Sequence, residues 1–489
     1  MKSKSFKYII SLGVFTLALG AFVACEDDLN VENQENISEA DFLNNPDNLI
    51  QLVNGSYNKL LDFEMYSFAW IGMTSITSDD ADKGSIPSDT GTDKDKLEAL
   101  NFETSGLSFN HVYRSRYDGI RRVNEAMLYL EKSTIPGNIK SRLIGECKFL
   151  RALWYFDLVR CFGGVPLVVK TIDLNDTETV NSVVFVRRSK AETYAQIETD
   201  LLEAIESLPV KSAYGAKDLG RATKGAAQGL LSKVYLYQEK WLNAYDMAGN
   251  VISSGQYSLM PNYADVWKEI GENKQESIFE VQAIFSKGVV DYTKVQGPRG
   301  TPDYGWGFNT PSESLANLYE AGDLRKNATI IFVPSTLWDG LPAPATWNNP
   351  RYNYKAYQST LSETGTGMND SDSAKNLRIL KYSDVLLIRA EAASQLGFTG
   401  EATDNVNLIR VRAGLTALPS VTLQQVYKER HLEMAMEHER WFDLIRTGQA
   451  QAAMTANGKT FITGRHELFP IPQEQITLSG GRLAQNPGY

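Results

Sequence analysis

The sequence predicts a mainly α-helical protein built on tetratricopeptide-like helical hairpins, with a large irregular region and a few short strands. Nine segments carry apolar residues at three- and four-residue spacing, which is the period of a helix with one buried face. Two pairs of these segments resemble each other, whereas residues 256–377 lose the period and accumulate Gly, Pro, Asn and aromatic residues. The nine helical segments are 46–62, 111–132, 138–161, 189–207, 223–238, 241–254, 379–396, 401–413 and 422–446.

Two of the helices have chemical start signals. Ser189 with Glu192, and Thr422 with Gln425, fit the capping box, in which the two side chains satisfy free amide groups of the first turn. Near the end of the last helix, Arg440 lies three residues before Asp443, so the two side chains are expected to pair. Strand alternation is scarce, and its clearest examples are 165–169 and 277–283.

The repeated unit is a pair of helices joined by a short break. Leu230 and Leu231 precede a break near Lys240 and a second helix beginning at Trp241. Leu386 and Leu387 are followed in the same way by a turn at 397–400 and a second helix. Tetratricopeptide-like hairpins need small residues where their helices cross, and they bury their apolar faces only by stacking on one another. A generic helical bundle is the alternative interpretation.

Two irregular stretches interrupt the helical pattern. The shorter one, 74–97, is rich in Ser, Gly, Thr and Asp, and the longer one is 256–377. The helical scaffold then comprises about 40–255 and 378–489. Long irregular segments inside a compact domain usually carry function, so we expect ligand recognition in these two stretches.

The first 24 residues predict a secretory signal peptide. Basic residues precede an apolar run at 8–23, which is too short to span a bilayer as a stable helix. The run leads into Ala24 and Cys25 and then into acidic residues, a pattern typical of a lipoprotein cleavage site. Cys25 would then become the acylated first residue of a mature chain 25–489, and several acyl chains would anchor it firmly. An ordinary signal peptide with a chance cysteine is the alternative.

Composition and charge limit the possible partners. The 489 residues are 43% hydrophobic and carry a formal net charge of -10, with a pI near 5.2. This sign argues against binding to nucleic acid, because the phosphate backbone is itself negative. Cys147 and Cys161 lie on one predicted helix about 21 Å apart, too far for a disulfide, so both are expected to be free and buried.

Catalytic motifs are missing from the sequence. His431 and His438 are seven residues apart on one predicted helix, about 10 Å along its axis and too far to share a zinc ion. The chain has no HExxH, nucleophile-elbow or Walker sequence, and its 59 acidic residues are too many to single out a catalytic pair. We therefore expect a protein that is not an enzyme and needs no cofactor, while a structural Ca²⁺ at 79–82 stays open.

Several stretches, in this order along the chain, resemble the SusD/RagB family. They are GECKFLRA at 145–152, FGGVPL at 162–167, YSDVLLIRAEA within 378–414, ERWFDLIR at 439–446, LFPIP at 468–472 and QNPGY at 485–489. The resemblance implies a tetratricopeptide-like helical scaffold, with the ligand site in the more irregular region. It also implies a lipid-anchored, cell-surface protein of the outer membrane that sits as a lid over a SusC-like TonB-dependent transporter.

Carbohydrate recognition defines the candidate site residues. A sugar ring has a face of C–H groups and a rim of hydroxyls, so flat aromatic surfaces and planar polar groups hold it. Each aromatic candidate has the alternative of packing beneath its own loop, and Trp70, Trp154, Trp241 and Trp267 are assigned to packing. The aromatic candidates are Tyr304, Trp306, Trp338 and Trp347, and the hydrogen-bonding candidates are Asp80, Asn101, Asn348 and Arg351.

The sequence favours a glycan-binding lipoprotein that captures oligosaccharide or polysaccharide and delivers it to the transporter. Clustered Trp and Tyr residues in irregular segments are the basis for this hypothesis. Two alternatives stay open: capture of peptide or protein fragments, as on the RagB side of the family, and a structural lid with little affinity of its own.

Overall fold

Helices dominate the computed structural model, which describes residues 38–90, 92–284, 290–299, 305–364 and 373–489. The main helices are α1 (Pro46–Asn58), α2 (Leu107–Lys132), α3 (Gly137–Phe162), α4 (Lys190–Ser207), α5 (Lys224–Leu236), α6 (Trp241–Ser253), α7 (Tyr382–Gln395), α8 (Thr399–Arg412), α9 (Leu423–Met434) and α10 (Arg440–Arg446). Shorter helices are Glu39–Asn44, Phe63–Tyr66, Phe68–Ile71, Lys94–Glu98, Thr177–Thr179, Tyr292–Gln296, Glu313–Leu318, Arg325–Thr329, Ala450–Ala456 and Gln473–Leu478. The predicted signal peptide and Cys25 lie outside the described residues.

Strands are short and pair two by two. The described strands are β1 (Ala81–Gly84), β2 (Ser277–Val281), β3 (Phe308–Pro311), β4 (Ile330–Phe332), β5 (Ser335–Thr336), β6 (Pro342–Ala343), β7 (Arg351–Asn353) and β8 (Leu377–Lys381). The pairs β1 with β3, β2 with β8, β4 with β7 and β5 with β6 are all antiparallel. These findings confirm the prediction of a mainly α fold with a few short strands.

The long helices stack in chain order. From α2 to α8, each helix packs against the next, and α9 packs against α7. Helix α6 packs directly on α7 although the irregular region separates them in the sequence. Small residues make the close crossing of α7 and α8, where Ala390 and Ala393 meet Ala402 and Val406. This arrangement matches the predicted stacking of helical hairpins.

The start signals were interpreted correctly. Both capping boxes, at Ser189 and Thr422, form with their reciprocal hydrogen bonds. Cys147 and Cys161 are free and buried in α3, as predicted. Among the residues that the structure describes, no helix combines the length and the apolar character that a membrane span requires.

The predicted strand at 165–169 is wrong, because side chains of neighbouring helices bind its backbone instead. Tyr155 donates its hydroxyl to Val168 O and accepts from Val168 N at 2.7 Å. Asn124 also donates to Val168 O, at 2.8 Å. The segment has no partner strand among the described residues.

The predicted single helix at 422–446 is also wrong. Helix α9 ends at Met434, and Met436 and His438 adopt positive φ angles of 64° and 67° before α10 begins. Tyr263 Oη and Lys355 Nζ donate to the carbonyl of Glu433, at 2.9 and 3.1 Å, so tertiary donors satisfy this end of α9. Residues 379–381 likewise belong to β8 and not to a helix.

The irregular region has a core of its own. Its buried side chains form an aromatic cluster that includes residues of β4, β6 and β7, so much of this region is a packed core and not a set of free loops. The buried members of this aromatic cluster are Met260, Tyr263, Val266, Trp267, Ala328, Ile331, Leu337, Ala343, Trp347, Tyr352, Tyr354 and Tyr357.

A chain of buried ion pairs links α5 to α7, α9 and α10. Asp384 of α7 pairs with Lys233 of α5, at 3.1 Å, and with Arg430 of α9. Arg430 continues to Asp443 of α10, at 2.8 Å, and Asp443 to Arg446, at 2.7 Å. Burial alone would raise the pKa of Asp384, but the two cations lower it far below its usual range. The carboxylate therefore stays charged inside the fold.

Removing this carboxylate should destabilise the protein strongly. We expect Asp384→Ala to cost about 3–5 kcal/mol, because it leaves two buried cations without their shared partner. The matched control is Glu125→Ala, which removes a half-exposed partner of Arg121 and should cost less than about 1 kcal/mol. Urea denaturation of both variants measures the difference. Equal losses of unfolding free energy would contradict the role of Asp384 in the buried ion pairs.

The buried His438 makes stability depend on pH. Burial lowers the pKa of His438 to about 4, whereas the unfolded chain has the ordinary value of about 6.5. Between these values the unfolded state binds more protons, so stability falls as the pH drops, by about 1.4 kcal/mol per pH unit. Between pH 7 and pH 5, the free energy of unfolding of His438→Asn should fall by about 2 kcal/mol less than that of the parent protein, as measured by urea denaturation. His111→Asn, at a half-exposed histidine, is the matched control for the substitution itself.

Candidate functional site

The two irregular stretches meet through one strand pair. Strand β1 of the first stretch pairs with β3 of the second, with Ala81 opposite Pro311 and Gly84 opposite Phe308. Gly84 has a φ of 71°, and a Cβ there would lie 2.4 Å from the carbonyl oxygen of Gly307, so this junction requires glycine. The pairing therefore brings together two segments that lie more than 200 residues apart in the sequence.

Side chains fasten the loop that follows β1. Arg299 donates Nη1 hydrogen bonds to Ser85 Oγ and Asp89 Oδ2, both at 2.7 Å. Asn349 donates Nδ2 to the carbonyl of Ser85 at 3.0 Å. Arg351 at the start of β7 donates Nε to Pro311 O at 2.7 Å. The loop after β1 and segments of the second irregular stretch are thus held at a single place.

A polar cleft of about 440 Å³ opens where these segments meet, a size typical of small-ligand sites. Lys83 pairs with Asp95 at 2.7 Å, and its backbone N–H donates to Glu98, so the charged wall is internally bonded. The lining residues of this polar cleft are Asp82, Lys83, Gly84, Ser85, Pro87, Asp95, Glu98, Thr310, Pro311, Asn348, Asn349, Pro350 and Arg351.

Two further open clefts lie around Trp338. The acidic cleft, about 450 Å³, is lined by Asp265, Lys268, Glu269, Ile270, Trp338, Ser362 and Glu363. The apolar cleft, about 470 Å³, is lined by Ala264, Leu324, Asn327, Ala328, Ile330, Ile331, Phe332, Ser335, Thr336, Leu337, Trp338 and Tyr354. Trp338 itself is half-buried and packs against the aromatic cluster.

The structure brings some of the candidate residues together and separates others. Asn348 and Arg351 line the polar cleft side by side, whereas Trp338 borders the other two clefts. Asn101 is exposed after the short helix Lys94–Glu98, outside the lining of these three clefts. Tyr304 lies outside the described residues.

The structure contradicts the expectation of an open face for two candidates. Trp347 is only 7% exposed and packs edge-on with Tyr352, at 5.5 Å between ring centroids, inside the aromatic cluster. Asp80 is 1% exposed and hydrogen-bonds His431, so it cannot serve as part of an open polar rim. Trp306 is half-buried, with edge contacts to Phe63 and Phe68. Sequence patterns misled here because loop aromatics also pack beneath their own backbone.

Two residues of the acidic segment 79–82 meet a histidine in the structure. Asp79, Asp80 and His431 offer three ligand atoms within 4.8 Å of one another. Calcium prefers six to eight oxygen ligands, whereas one of these three is an imidazole nitrogen. Arg440 already binds both oxygens of Asp79, at 2.8 and 2.7 Å. The predicted pairing of Arg440 with Asp443 is therefore wrong, because Arg440 pairs with Asp79 instead. Burial would raise the pKa of Asp79, but Arg440 lowers it.

The tryptophans assigned to packing are confirmed. Trp70, Trp154 and Trp267 are buried, and half-buried Trp241 packs against the main core. Sequence reasoning missed most of the polar lining around Trp338, including Lys268 and Glu363. These residues had no local signal, because only the folded irregular region brings them beside the indole.

Two family models match the chain. The model described as the SusD family matches residues 332–489, and the one described as "Starch-binding associating with outer membrane" matches residues 32–236. The chain belongs to the SusD/RagB family. The family matches therefore cover both the N-terminal helices and the C-terminal part of the scaffold.

Relatives of this SusD-family chain are similar over most or all of their length. A SusD-like protein of Bacteroides ovatus is 26% identical over 482 residues, covering 89% of this chain and 81% of the relative. SusD-like protein P2 of Formosa agariphila is 26% identical over 523 residues, covering 99% of this chain and 100% of the relative.

Solved structures share the fold. A laminarin-binding SusD-like protein is 28% identical with a TM-score of 0.77, covering 91% of this chain and 100% of its own. A surface glycan-binding protein A from Bacteroides fluxus is 25% identical with a TM-score of 0.77, over the same shares of the two chains.

Detaching the loop after β1 should loosen the polar cleft without unfolding the protein. In Arg299→Ala, residues 84–89 lose both hydrogen bonds from the guanidinium, so we expect faster amide hydrogen exchange there. Exchange in α3 should stay unchanged. The control is Arg188→Ala at an exposed arginine, and unchanged exchange at 84–89 in Arg299→Ala would contradict the role of Arg299.

Proposed function

We propose that this SusD-family protein captures a glycan at the outer-membrane surface and delivers it, uncleaved, to a SusC-like TonB-dependent transporter. The observation that carries the proposal is the polar cleft, in which Asn348 and Arg351 stand among hydroxyl, carboxylate and proline groups contributed by three irregular segments. Its relatives support the proposal, because one with a similar fold is named for laminarin binding and another for surface glycan binding.

The groups in the polar cleft suit a hydroxyl-rich ligand. The amide of exposed Asn348 has no hydrogen bond to the described residues, so its donors and acceptor can meet sugar hydroxyls. Arg351 uses Nε for Pro311 O, and among the described residues its Nη groups have no hydrogen-bond acceptor. Planar polar groups held by a rigid frame lose little entropy when they bind.

Attachment to the membrane and the partner are parts of the same proposal. Acylation at Cys25 would hold the protein at the outer membrane, the location in the description of the matching family. A tethered binding protein beside a transporter raises the local concentration of cargo, so the tether and the glycan site serve one process.

Binding measurements on the soluble chain 26–489 test the proposed function. We expect retention by at least one polysaccharide, measured by affinity gel electrophoresis, and no shortening of oligosaccharides during incubation. Asn348→Ala and Arg351→Ala should each weaken binding about tenfold, because each removes hydrogen bonds worth about 1–2 kcal/mol. Asn243→Ala, at an exposed asparagine of α6, is the matched control for the lost amide.

Other outcomes would decide against this function. Binding of a peptide mixture but of no glycan would favour fragment capture. Absence of binding to either class would leave a structural lid. Release of shortened sugars would contradict delivery without cleavage.

A further inference from the structure

Trp338 lies between two clefts that share no other lining residue. The acidic cleft and the apolar cleft have this one lining residue in common, and neither shares a lining residue with the polar cleft. An aromatic ring that borders two open clefts has more than one part accessible to a ligand. We infer that Trp338 forms a second sugar-binding platform, separate from the polar cleft, and that it takes an uncharged saccharide.

The position of Trp338 is fixed by its hairpin. It follows β5 in the β5–β6 hairpin, in which Leu337 N donates to Leu341 O at 2.8 Å. Next to it, Asp339 accepts from Tyr357 Oη at 2.6 Å, and the Tyr357 ring meets the indole edge-on at 6.3 Å. A ring held in this way loses little conformational freedom when it binds a ligand.

The π face of Trp338 already attracts positive charge. Lys268 Nζ lies 4.6 Å from the ring centroid, and Asp265 holds the ammonium at 2.7 Å. Lys268 occupies this face, so a sugar, whose C–H groups carry slight positive charge, would meet the part of the indole that lines the apolar cleft. The geometry therefore provides the flat surface that the lining of the polar cleft lacks.

Charge around Trp338 favours a neutral ligand. The lining of the acidic cleft includes three acidic residues, Asp265, Glu269 and Glu363, and one cation, Lys268. Lys375 pairs with Glu363 at 3.5 Å but is buried outside this lining. No residue with a formal charge is among those lining the apolar cleft. A uronate or sulfated sugar would meet net negative charge on one side and an apolar wall on the other, and neither compensates its charge.

Two separate contact points on one protein predict a dependence on ligand length. A polymer that reaches both Trp338 and the polar cleft binds the second point intramolecularly, so it should bind more tightly than a fragment that reaches only one. This inference rests on the proposed glycan-binding function and adds the class of sugar and the second point of attachment.

The test compares Trp338 variants on charged and uncharged glycans. For the soluble chain 26–489 with laminarin, a neutral glucan, we expect Trp338→Leu to weaken binding about tenfold, while Trp338→Phe stays within about threefold of the parent. Trp241→Leu, at a half-buried tryptophan of α6, is the matched control and should not change binding. Alginate, a uronate polymer, should bind at least tenfold more weakly than laminarin. Thermal unfolding of each variant verifies that it is folded.

Each remaining outcome is informative. Parent-like binding by Trp338→Leu, together with weakened binding by Asn348→Ala, would overturn the second platform and leave the proposed function standing. Equal or tighter binding of alginate would overturn the preference for uncharged sugar. Failure of the parent chain to bind any glycan, tested also on other neutral polysaccharides, would overturn both the function and this inference. If Trp338→Leu does not fold, Lys268→Glu gives the deciding measurement. Complete loss of laminarin binding in this variant would show that the ligand depends on the positive charge and would contradict a neutral aromatic platform.

Discussion

The antiparallel pairing of β1 with β3 is the constraint on which the candidate site depends. It joins residues 81–84 to 308–311 and so places two irregular stretches against each other. This pairing brings the loop after β1 within hydrogen-bond distance of Asn349 and Arg299. The ladder is only four residues long, so side-chain bonds from both neighbouring segments are needed to hold it. The polar cleft is the space that this junction leaves open.

The helical frame supplies rigidity for the junction. Arg440 at the start of α10 binds Asp79, which lies two residues before the start of β1, so the pair ties the first irregular stretch to the scaffold. Behind Arg440, the buried ion pairs around Asp384 connect α5, α7, α9 and α10. Buried charges are costly to separate, and this discourages sliding of the helices past one another. Loops fixed to such a frame can present polar groups in a constant geometry.

The scaffold was predictable because its signals are local. Capping residues at Ser189 and Thr422 and the helical period of the apolar residues depend only on neighbours in the sequence. The break between α9 and α10 was not predictable, because Tyr263 and Lys355 from the irregular region satisfy the end of α9. The same reason explains the candidate site. Residue types pointed to Asn348, Arg351 and Trp338, but only tertiary packing decides that Trp347 is enclosed while Trp338 borders open space.

The direct contact of α6 with α7 has a consequence for how such proteins diversify. Strand β2, inside the irregular region, pairs with β8 at its C-terminal end, and Tyr382 N donates to Glu276 O at 2.9 Å, so the segment between the two strands begins and ends at one place beside the helical stack. Lengthening a chain between fixed ends adds little closure entropy, because that term grows only with the logarithm of length. The segment between β2 and β8 can therefore be lengthened while the helices beneath keep their packing, provided that Lys355 still reaches the end of α9, and a new cargo preference does not require a new fold.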